Sequence, residues 1–222
     1  MTAEIDVREG PVTELTMSGD AVWASAASDL VRIDPVTNEV VGRLRSRSGF
    51  GDIAFGKSGL WVIVGAGRDG EVWLFDPATN DVRQRVPLAN PSFWNEIAVG
   101  DEAVWVTSSP TVHQAGTALV HLYRIDPQTG DITADIPLGH GPSELRQGEG
   151  AVSYSGLALD DGSVWVLVNW DGLLFSVDTG DLKVSEREDG LDCCGSGVGP
   201  GLTVGAGSLW ITATRAVTRV SL

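Results

Sequence analysis

Five tryptophans stand at one constant distance from the start of a short apolar segment, and this regularity constrains the fold more than any other feature. The first residue of each segment precedes its tryptophan by nine positions in every copy. The pairs are Glu14 and Trp23, Asp52 and Trp61, Glu96 and Trp105, Gly156 and Trp165, and Gly201 and Trp210. A repeat without drift in its spacing predicts one supersecondary unit that is used five times.

A second signature follows four of these tryptophans. It is a strand-like run that ends in Asp, followed by Pro or Thr and then Asn or Gly, at 31–38, 73–80, 123–130 and 175–181. In such a run the Asp caps a turn, Pro fixes φ, and Asn or Gly tolerates a positive φ. Another strand-like segment comes next. Each unit is therefore predicted to contain four antiparallel strands, A to D, with the tryptophan on strand B.

Four antiparallel strands in every 38 to 60 residues are typical of the blades of a β-propeller. We predict an all-β fold in which residues 1–222 form one domain, a single five-bladed β-propeller. The tryptophan on strand B is expected to fill the space between neighbouring blades. The predicted blades cover about 12–44, 50–88, 94–138 and 154–187, and a fifth combines 199–222 with 2–8.

The assignment of residues 2–8 to the fifth blade comes from an internal match. No strand D follows Trp210, whereas residues 2–11 align with 133–142, which contain strand D of the third unit and its exit. A closed ring leaves no exposed sheet edge. We therefore expect the N-terminal strand to close the last blade.

Charge and hydropathy exclude two kinds of partner. Fifteen basic and thirty acidic residues give a formal net charge of −15, which repels phosphate backbones, so we expect no nucleic acid partner. No run approaches the ~18 consecutive apolar residues of a membrane span. The first residues lack the basic and apolar regions of a signal peptide. As written, the chain is expected in the cytoplasm, or outside it if a leader has been removed.

The repeat resembles that of a known family. The run IAVGDEAVWVT and the run LYRIDPQTGDITADIPL, both in the third unit, resemble the YVTN and virginiamycin B lyase-like propeller repeats of bacteria. The resemblance implies a β-propeller and no particular function, because such repeats serve enzymes, sensors and binding modules. Lyase-like members are expected to have seven blades and a metal-linked His/Glu cluster. This chain has five tryptophan units and no H-x-E or E-x-H pair, so the resemblance assigns lyase activity to no residue.

Alignment of the repeats places three carboxylates at one position. The head of strand A holds an acid in the first three units: Glu14, Asp52 and Glu96. Two positions earlier, three units hold an aromatic residue: Phe50, Trp94 and Tyr154. We predict an acidic arc and an aromatic rim at one mouth of the central channel. The alternative is that the aromatics pack between blades and the acids accept N–H bonds in turns.

Four further candidate ligand-binding residues complete the set: Arg68, Trp170, Cys193 and Cys194. Arg68 is in the G-x-G-x-x-G pattern at 65–70, which a strand follows instead of the helix that a dinucleotide site requires, so a hairpin loop is expected there. The two adjacent cysteines form either a strained vicinal disulfide or two free thiols.

The predicted function is a non-catalytic ligand-binding or sensor-like module. Its channel mouth is expected to bind a small polar ligand, a glycan or a partner protein. One alternative is a metal-assisted lyase or hydrolase that uses the carboxylates, and another is a protein-interaction scaffold. No cofactor is predicted, although carboxylate oxygens are suitable ligands for a divalent cation. We assign no catalytic or metal-binding residue and expect a monomer.

Overall fold

The computed structural model of the chain describes residues 2–7, 10–65, 70–88, 96–108, 120–138, 155–168, 172–188, 191, 201–212 and 216–222. These residues form five antiparallel sheets and contain no helix. The fold is a five-bladed β-propeller, which confirms the predicted fold class. Within the described ranges, no helix is long and apolar enough to span a membrane.

Each of the first four sheets has four strands that neighbour one another in chain order. Blade 1 contains β1 (Val12–Ser18), β2 (Ala21–Ala26), β3 (Asp29–Asp34) and β4 (Glu39–Arg45). Blade 2 contains β5 (Phe50–Gly56), β6 (Gly59–Val64), β7 (Glu71–Phe75) and β8 (Val82–Pro87). Blade 3 contains β9 (Ile97–Val99), β10 (Val104–Ser108), β11 (Val120–Ile125) and β12 (Ile132–Leu138). Blade 4 contains β13 (Ser155–Asp160), β14 (Ser163–Val168), β15 (Leu173–Asp178) and β16 (Val184–Glu188). Blade 5 contains β17 (Leu202–Gly205), β18 (Ser208–Thr212) and β19 (Val217–Ser221).

The turns between strands C and D follow the predicted mechanism. In blade 1, Asp34 Oδ1 accepts hydrogen bonds from the N–H groups of Val36 at 2.7 Å and Thr37 at 3.2 Å. A left-handed residue then ends the turn in each of blades 1 to 4: Asn38, Asn80, Gly130 and Leu182 have φ values of 60°, 63°, 77° and 61°. The sequence pattern did not anticipate Leu182, because leucine rarely adopts this conformation. Backbone hydrogen bonds to the turn carboxylates also hold the pKa values of Asp76 and Asp178 below their usual range.

The blades pack against one another through the repeat tryptophans, as predicted. Trp23, Trp61 and Trp105 are at most 2% exposed. Trp23 packs with Ile53, Leu60 and Val62 of the next blade. Equivalent clusters join Trp61 to blade 3, Trp105 to blade 4 and Trp165 to blade 5. Among the described residues the core therefore contains four apolar layers between consecutive sheets and a fifth cluster on the other face of blade 1.

The fifth sheet differs from the prediction. In the described residues it has three strands, and residues 2–7 form no strand. They lie against blade 1, where Val7 packs with Ala24, Val31 and Ile33. Strand D of blade 3 packs on blade 4 in the same way, through Ile136 and Leu138. The Arg43 guanidinium also donates a hydrogen bond of 2.8 Å to the Val7 carbonyl. The segment therefore packs on the blade on which a strand D of blade 5 is expected to pack, but residues 2–7 are not paired as a strand.

Candidate functional site

The three carboxylates at the heads of strands A come from three consecutive blades. Glu14 lies in β1 opposite Ser25. Asp52 lies in β5 where the register with β6 shifts between Phe50 and Ile53. Glu96 directly precedes β9. The constant repeat spacing places all three at the same end of their sheets, next to the axis around which the blades are arranged.

Asp52 connects blade 2 to blade 3. Its Oδ1 accepts a hydrogen bond of 2.7 Å from its neighbour, the Ile53 N–H. Its Oδ2 accepts one of 2.7 Å from the N–H of Ile97, which begins strand A of blade 3. Both oxygens are thus directed by backbone donors, and the carboxylate is fixed between the two blades.

The main chain of Glu96 is held by Thr107 on the adjacent strand. The Glu96 N–H donates to Thr107 Oγ1 at 3.0 Å, and the Thr107 N–H donates to the Glu96 carbonyl at 3.0 Å. Blade 5 has the equivalent hydrogen bond, in which the Gly201 N–H donates to Thr212 Oγ1 at 2.7 Å. A hydroxyl residue two positions after the tryptophan therefore fixes the head of strand A in both blades.

The three carboxyls all have raised pKa values, and repulsion between them contributes to the shifts of Asp52 and Glu96. Burial, followed by repulsion from Asp52 and Glu14, raises the pKa of Glu96 to about 9. Burial is also the main cause that raises the pKa of Asp52 to about 7, with repulsion from Glu14 adding to it. Burial raises the pKa of Glu14 as well. The cluster is therefore poor in negative charge near neutral pH, although it contains three acids.

Asp52 and Glu96 also share a side-chain hydrogen bond. Two carboxyls can form this bond only when one of them is protonated. The higher pKa of Glu96 makes it the donor and Asp52 the acceptor. The groups that dominate these pKa shifts are carboxyls and backbone N–H groups, and none is a cation. Bound protons, and not a neighbouring cation, therefore reduce the negative charge of the cluster.

The structure assigns Phe50 to the core and not to an aromatic rim. Phe50 is 8% exposed and packs with Trp23 and Leu60 between blades 1 and 2. The other predicted site residues lie outside the described part of the chain: Arg68, Trp94, Tyr154, Trp170, Cys193 and Cys194. Of the predicted set, the structure therefore brings together Glu14, Asp52 and Glu96.

Sequence reasoning missed two polar elements. Thr107 is one, and its signal is a polar residue two positions after the repeat tryptophan. The other is Asp29, which is completely buried and forms ion pairs with Arg43 and Arg45. These arginines lie on β4 and hold the pKa of Asp29 below its usual range, chiefly through the Arg45 hydrogen bond. Asp29, Arg43 and Arg45 do not occupy one common position of the repeat, so the repeat alignment did not group them.

Two other features of the described residues bear on ligand binding. No group of three His, Cys, Asp or Glu side chains among them is arranged to hold a metal ion. A cavity of about 540 Å³ lies between blades 3 and 4 at the opposite end of strands A, lined by Trp105, Arg124 and Asp160 among others. None of the three clustered carboxyls lines this cavity.

The fold and the site define a β-propeller protein with a cluster of interacting carboxyls at the heads of its inner strands. The chain is similar to a solved structure of hydrazine synthase from Kuenenia stuttgartiensis, with a TM-score of 0.70 and 14% sequence identity over 92% of this chain and 69% of that chain. At this identity the similarity shows the fold alone. No protein-family model matches the chain, and no curated protein matches its sequence.

Proposed function

We propose that the chain is a non-catalytic binding module whose carboxyl cluster binds a small polar ligand through cationic or hydrogen-bond-donating groups. The β-propeller fold suits a binding or scaffold module. The observation that supports this site is the Asp52 carboxyl, which the Ile97 N–H holds beside Glu96. The raised pKa values of Asp52 and Glu96 favour a proton held by this pair, and no cation is among their causes. A ligand ammonium group would stabilise the ionised carboxyls and replace that proton. We also propose membership of the YVTN-type repeat family, on the repeat itself.

This proposal predicts that binding releases protons. An ammonium group stabilises the charged form of each carboxyl and lowers its pKa. Near neutral pH, Glu96 therefore gives up its proton when the cation binds. A neutral polyol bound by the same oxygens would instead leave the proton in place.

The test uses 1,4-diaminobutane and mannitol as probes in titration calorimetry. Titrations in two buffers with different ionisation enthalpies give the number of protons released. We expect the diamine to bind with proton release, and Glu96→Gln to abolish the release. Asp101→Asn is the matched control, because Asp101 is 71% exposed and paired with Lys57. Absence of binding by both probes would contradict the proposed ligand class.

A second candidate function is acid–base catalysis by the Asp52 and Glu96 pair. Their raised pKa values, about 7 and about 9, support it, because a protonated acid beside an acceptor carboxylate is the arrangement that general acid–base catalysis uses. A metal-assisted lyase or hydrolase would additionally need a divalent cation at these oxygens. Under this function Mg²⁺ or Ca²⁺ should raise the melting temperature of the wild type and not that of Glu96→Gln. Unchanged melting of both would count against it.

A further inference from the structure

The cavity between blades 3 and 4 lies where the turns that join strands A and B of the two blades come together. Its volume of about 540 Å³ is typical of small-molecule sites, which occupy about 300–1,000 Å³. The wall from blade 3 includes Val99, Glu102 and Arg124, and the wall from blade 4 includes Leu159 and Asp160. The cavity is at the opposite end of strands A from the carboxyl cluster, so it is a separate candidate site.

Arg124 occupies a repeat position at which two other blades also have an arginine. Arg32 of blade 1 and Arg219 of blade 5 lie on strand C directly opposite their repeat tryptophans, as Arg124 does in blade 3. The Arg32 guanidinium lies over the Trp23 ring, 5.8 Å from its centroid, and forms an ion pair of 2.9 Å with Asp20. Arg219 likewise lies over its tryptophan, at 5.7 Å. In these two blades the arginine is therefore held within its own sheet.

Arg124 has neither kind of partner. Among the described residues it forms no ion pair and lies over no aromatic ring. Its guanidinium donates to Thr133 Oγ1 at 2.9 Å. Glu102, three positions before Trp105, occupies the position of Asp20 and yet does not pair with Arg124. Because a guanidinium has five N–H donors, Arg124 keeps donors for a ligand in the cavity.

The acids of the cavity also lack a cationic partner. In the described part of the chain, Glu102, Asp160 and Asp161 form no ion pair, whereas the fourth acid, Asp101, is paired with Lys57 at 2.6 Å. Three carboxylates and one guanidinium therefore line the same cavity without pairing with one another.

This lining suits a ligand that carries charges of both signs. A guanidinium binds a carboxylate through two parallel hydrogen bonds, and carboxylates accept hydrogen bonds from ammonium groups. Because the acids outnumber Arg124, a ligand with two ammonium groups and one carboxylate matches the lining better than a ligand with one of each. A bare divalent cation would be repelled by Arg124. Val99 and Leu159 offer apolar surface to the methylene groups of such a ligand.

We propose that this cavity binds a free α-amino acid with a cationic side chain. The carboxylate of the ligand pairs with Arg124, and its two ammonium groups pair with Glu102, Asp160 and Asp161. The site is distinct from the carboxyl cluster and adds a second binding function to the chain.

Titration calorimetry with L-lysine tests the role of Arg124. We expect Arg124→Gln to weaken lysine binding about tenfold, because the charge-assisted hydrogen bonds to the ligand carboxylate are lost. Arg32→Gln is the matched control, since Arg32 has the same repeat position and is paired with Asp20, and it should bind lysine as the wild type does. Absence of lysine binding to the wild type, or equal losses in the two variants, would overturn the proposal.

The acids are tested by variants that leave the fold intact, because Glu102 and Asp161 are exposed. Glu102→Gln and Asp161→Asn should each weaken lysine binding about two- to fivefold. Asp131→Asn, at an exposed position of blade 3 outside the cavity, should have no effect. Unchanged binding in both Glu102→Gln and Asp161→Asn would contradict the assigned ammonium contacts.

Two further titrations define the ligand and the location of the site. L-norleucine, which lacks the side-chain ammonium group of lysine, should bind more weakly than lysine, and equal affinities would overturn the proposed ligand class. Glu96→Gln changes the carboxyl cluster and should leave the affinity for lysine unchanged. A loss of lysine binding in Glu96→Gln but not in Arg124→Gln would assign lysine to the carboxyl cluster and overturn this proposal while leaving the proposed function intact.

Discussion

The Asp52 carboxylate accepts a hydrogen bond of 2.7 Å from the Ile97 N–H, so a side chain of blade 2 satisfies the first backbone donor of strand A in blade 3. Burial is the main cause that raises the pKa of the same carboxyl to about 7, and its electrostatic partners are Glu14 and Glu96. One residue therefore has a structural role between two blades and an electrostatic role in the candidate site. The two roles respond differently to substitution, which allows them to be measured separately.

Removal of the Asp52 side chain should destabilise the fold. In Asp52→Ala the Ile97 N–H loses its acceptor between two blades, which costs about 1–3 kcal/mol of unfolding free energy. Asp52→Asn should cost less, because the amide oxygen can still accept that bond. Urea unfolding measures both values.

Asp101→Ala, which removes an exposed ion pair with Lys57, is the control and should cost less than about 1 kcal/mol. Equal losses for Asp52→Ala and Asp101→Ala would contradict the inter-blade role.

The stability of the chain should fall as the pH rises through neutrality. The raised pKa values of Asp52 and Glu96, about 7 and about 9, mean that the folded chain holds protons that the unfolded chain has released. Stability decreases with pH wherever the folded state binds more protons, here between about pH 5 and about pH 8. The lowered pKa values of Asp29, Asp76 and Asp178 act below about pH 4, outside this interval.

Urea midpoints across this pH interval measure the effect. Glu96→Gln removes one of the two groups and its repulsion, so its midpoint should change less with pH. Asp101→Asn should retain the slope of the wild type. A wild-type midpoint that rises between about pH 5 and about pH 8 would show that the carboxyl cluster does not control stability there.

The repeat spacing predicted the positions of residues better than it predicted their roles. Constant spacing from Glu14, Asp52 and Glu96 to their tryptophans places them at one end of three adjacent sheets, and their electrostatic interaction follows from that. The same alignment gave Phe50 a place on the rim, but its ring is buried between blades. Alternation along a strand permits either face at an irregular register, and β5 is irregular at Phe50.

The position of residues 2–7 could be predicted only in part. A strand D pattern predicts packing on the next blade, which is blade 1 in a closed ring, and it also predicts pairing with β19, which the described residues do not show. Packing of Val7 and the hydrogen bond from Arg43 hold the segment on blade 1. Arg43 is positioned by the buried Asp29, a residue outside the repeat pattern.

Loss of the Asp29 charge should therefore be costly. Asp29 is completely buried whereas Arg43 and Arg45 are partly exposed, so Asp29→Asn weakens two charge-assisted hydrogen bonds and should cost about 1–3 kcal/mol. Arg45→Met should cost about 1 kcal/mol or less, because the Arg45 side chain is 60% exposed and Arg43 still pairs with Asp29. Urea unfolding at neutral pH gives the comparison. A smaller loss for Asp29→Asn than for Arg45→Met would contradict the assigned ion-pair network.

The close approach of blades 2 and 3 at Gly56 should make that position intolerant of any side chain. The Cβ of Gly56→Ala would lie 2.2 Å from Val99 Cγ1, so the two sheets must separate or Val99 must shift, at a cost of about 1–3 kcal/mol. Gly19→Ala is the control, because its Cβ meets no atom within 4 Å. Val99→Ala removes the obstructing methyl groups, so Gly56→Ala should be less destabilising in that background than in the wild type. A double-mutant cycle from urea unfolding measures this coupling, and additive losses would show that the two side chains do not compete for the same space.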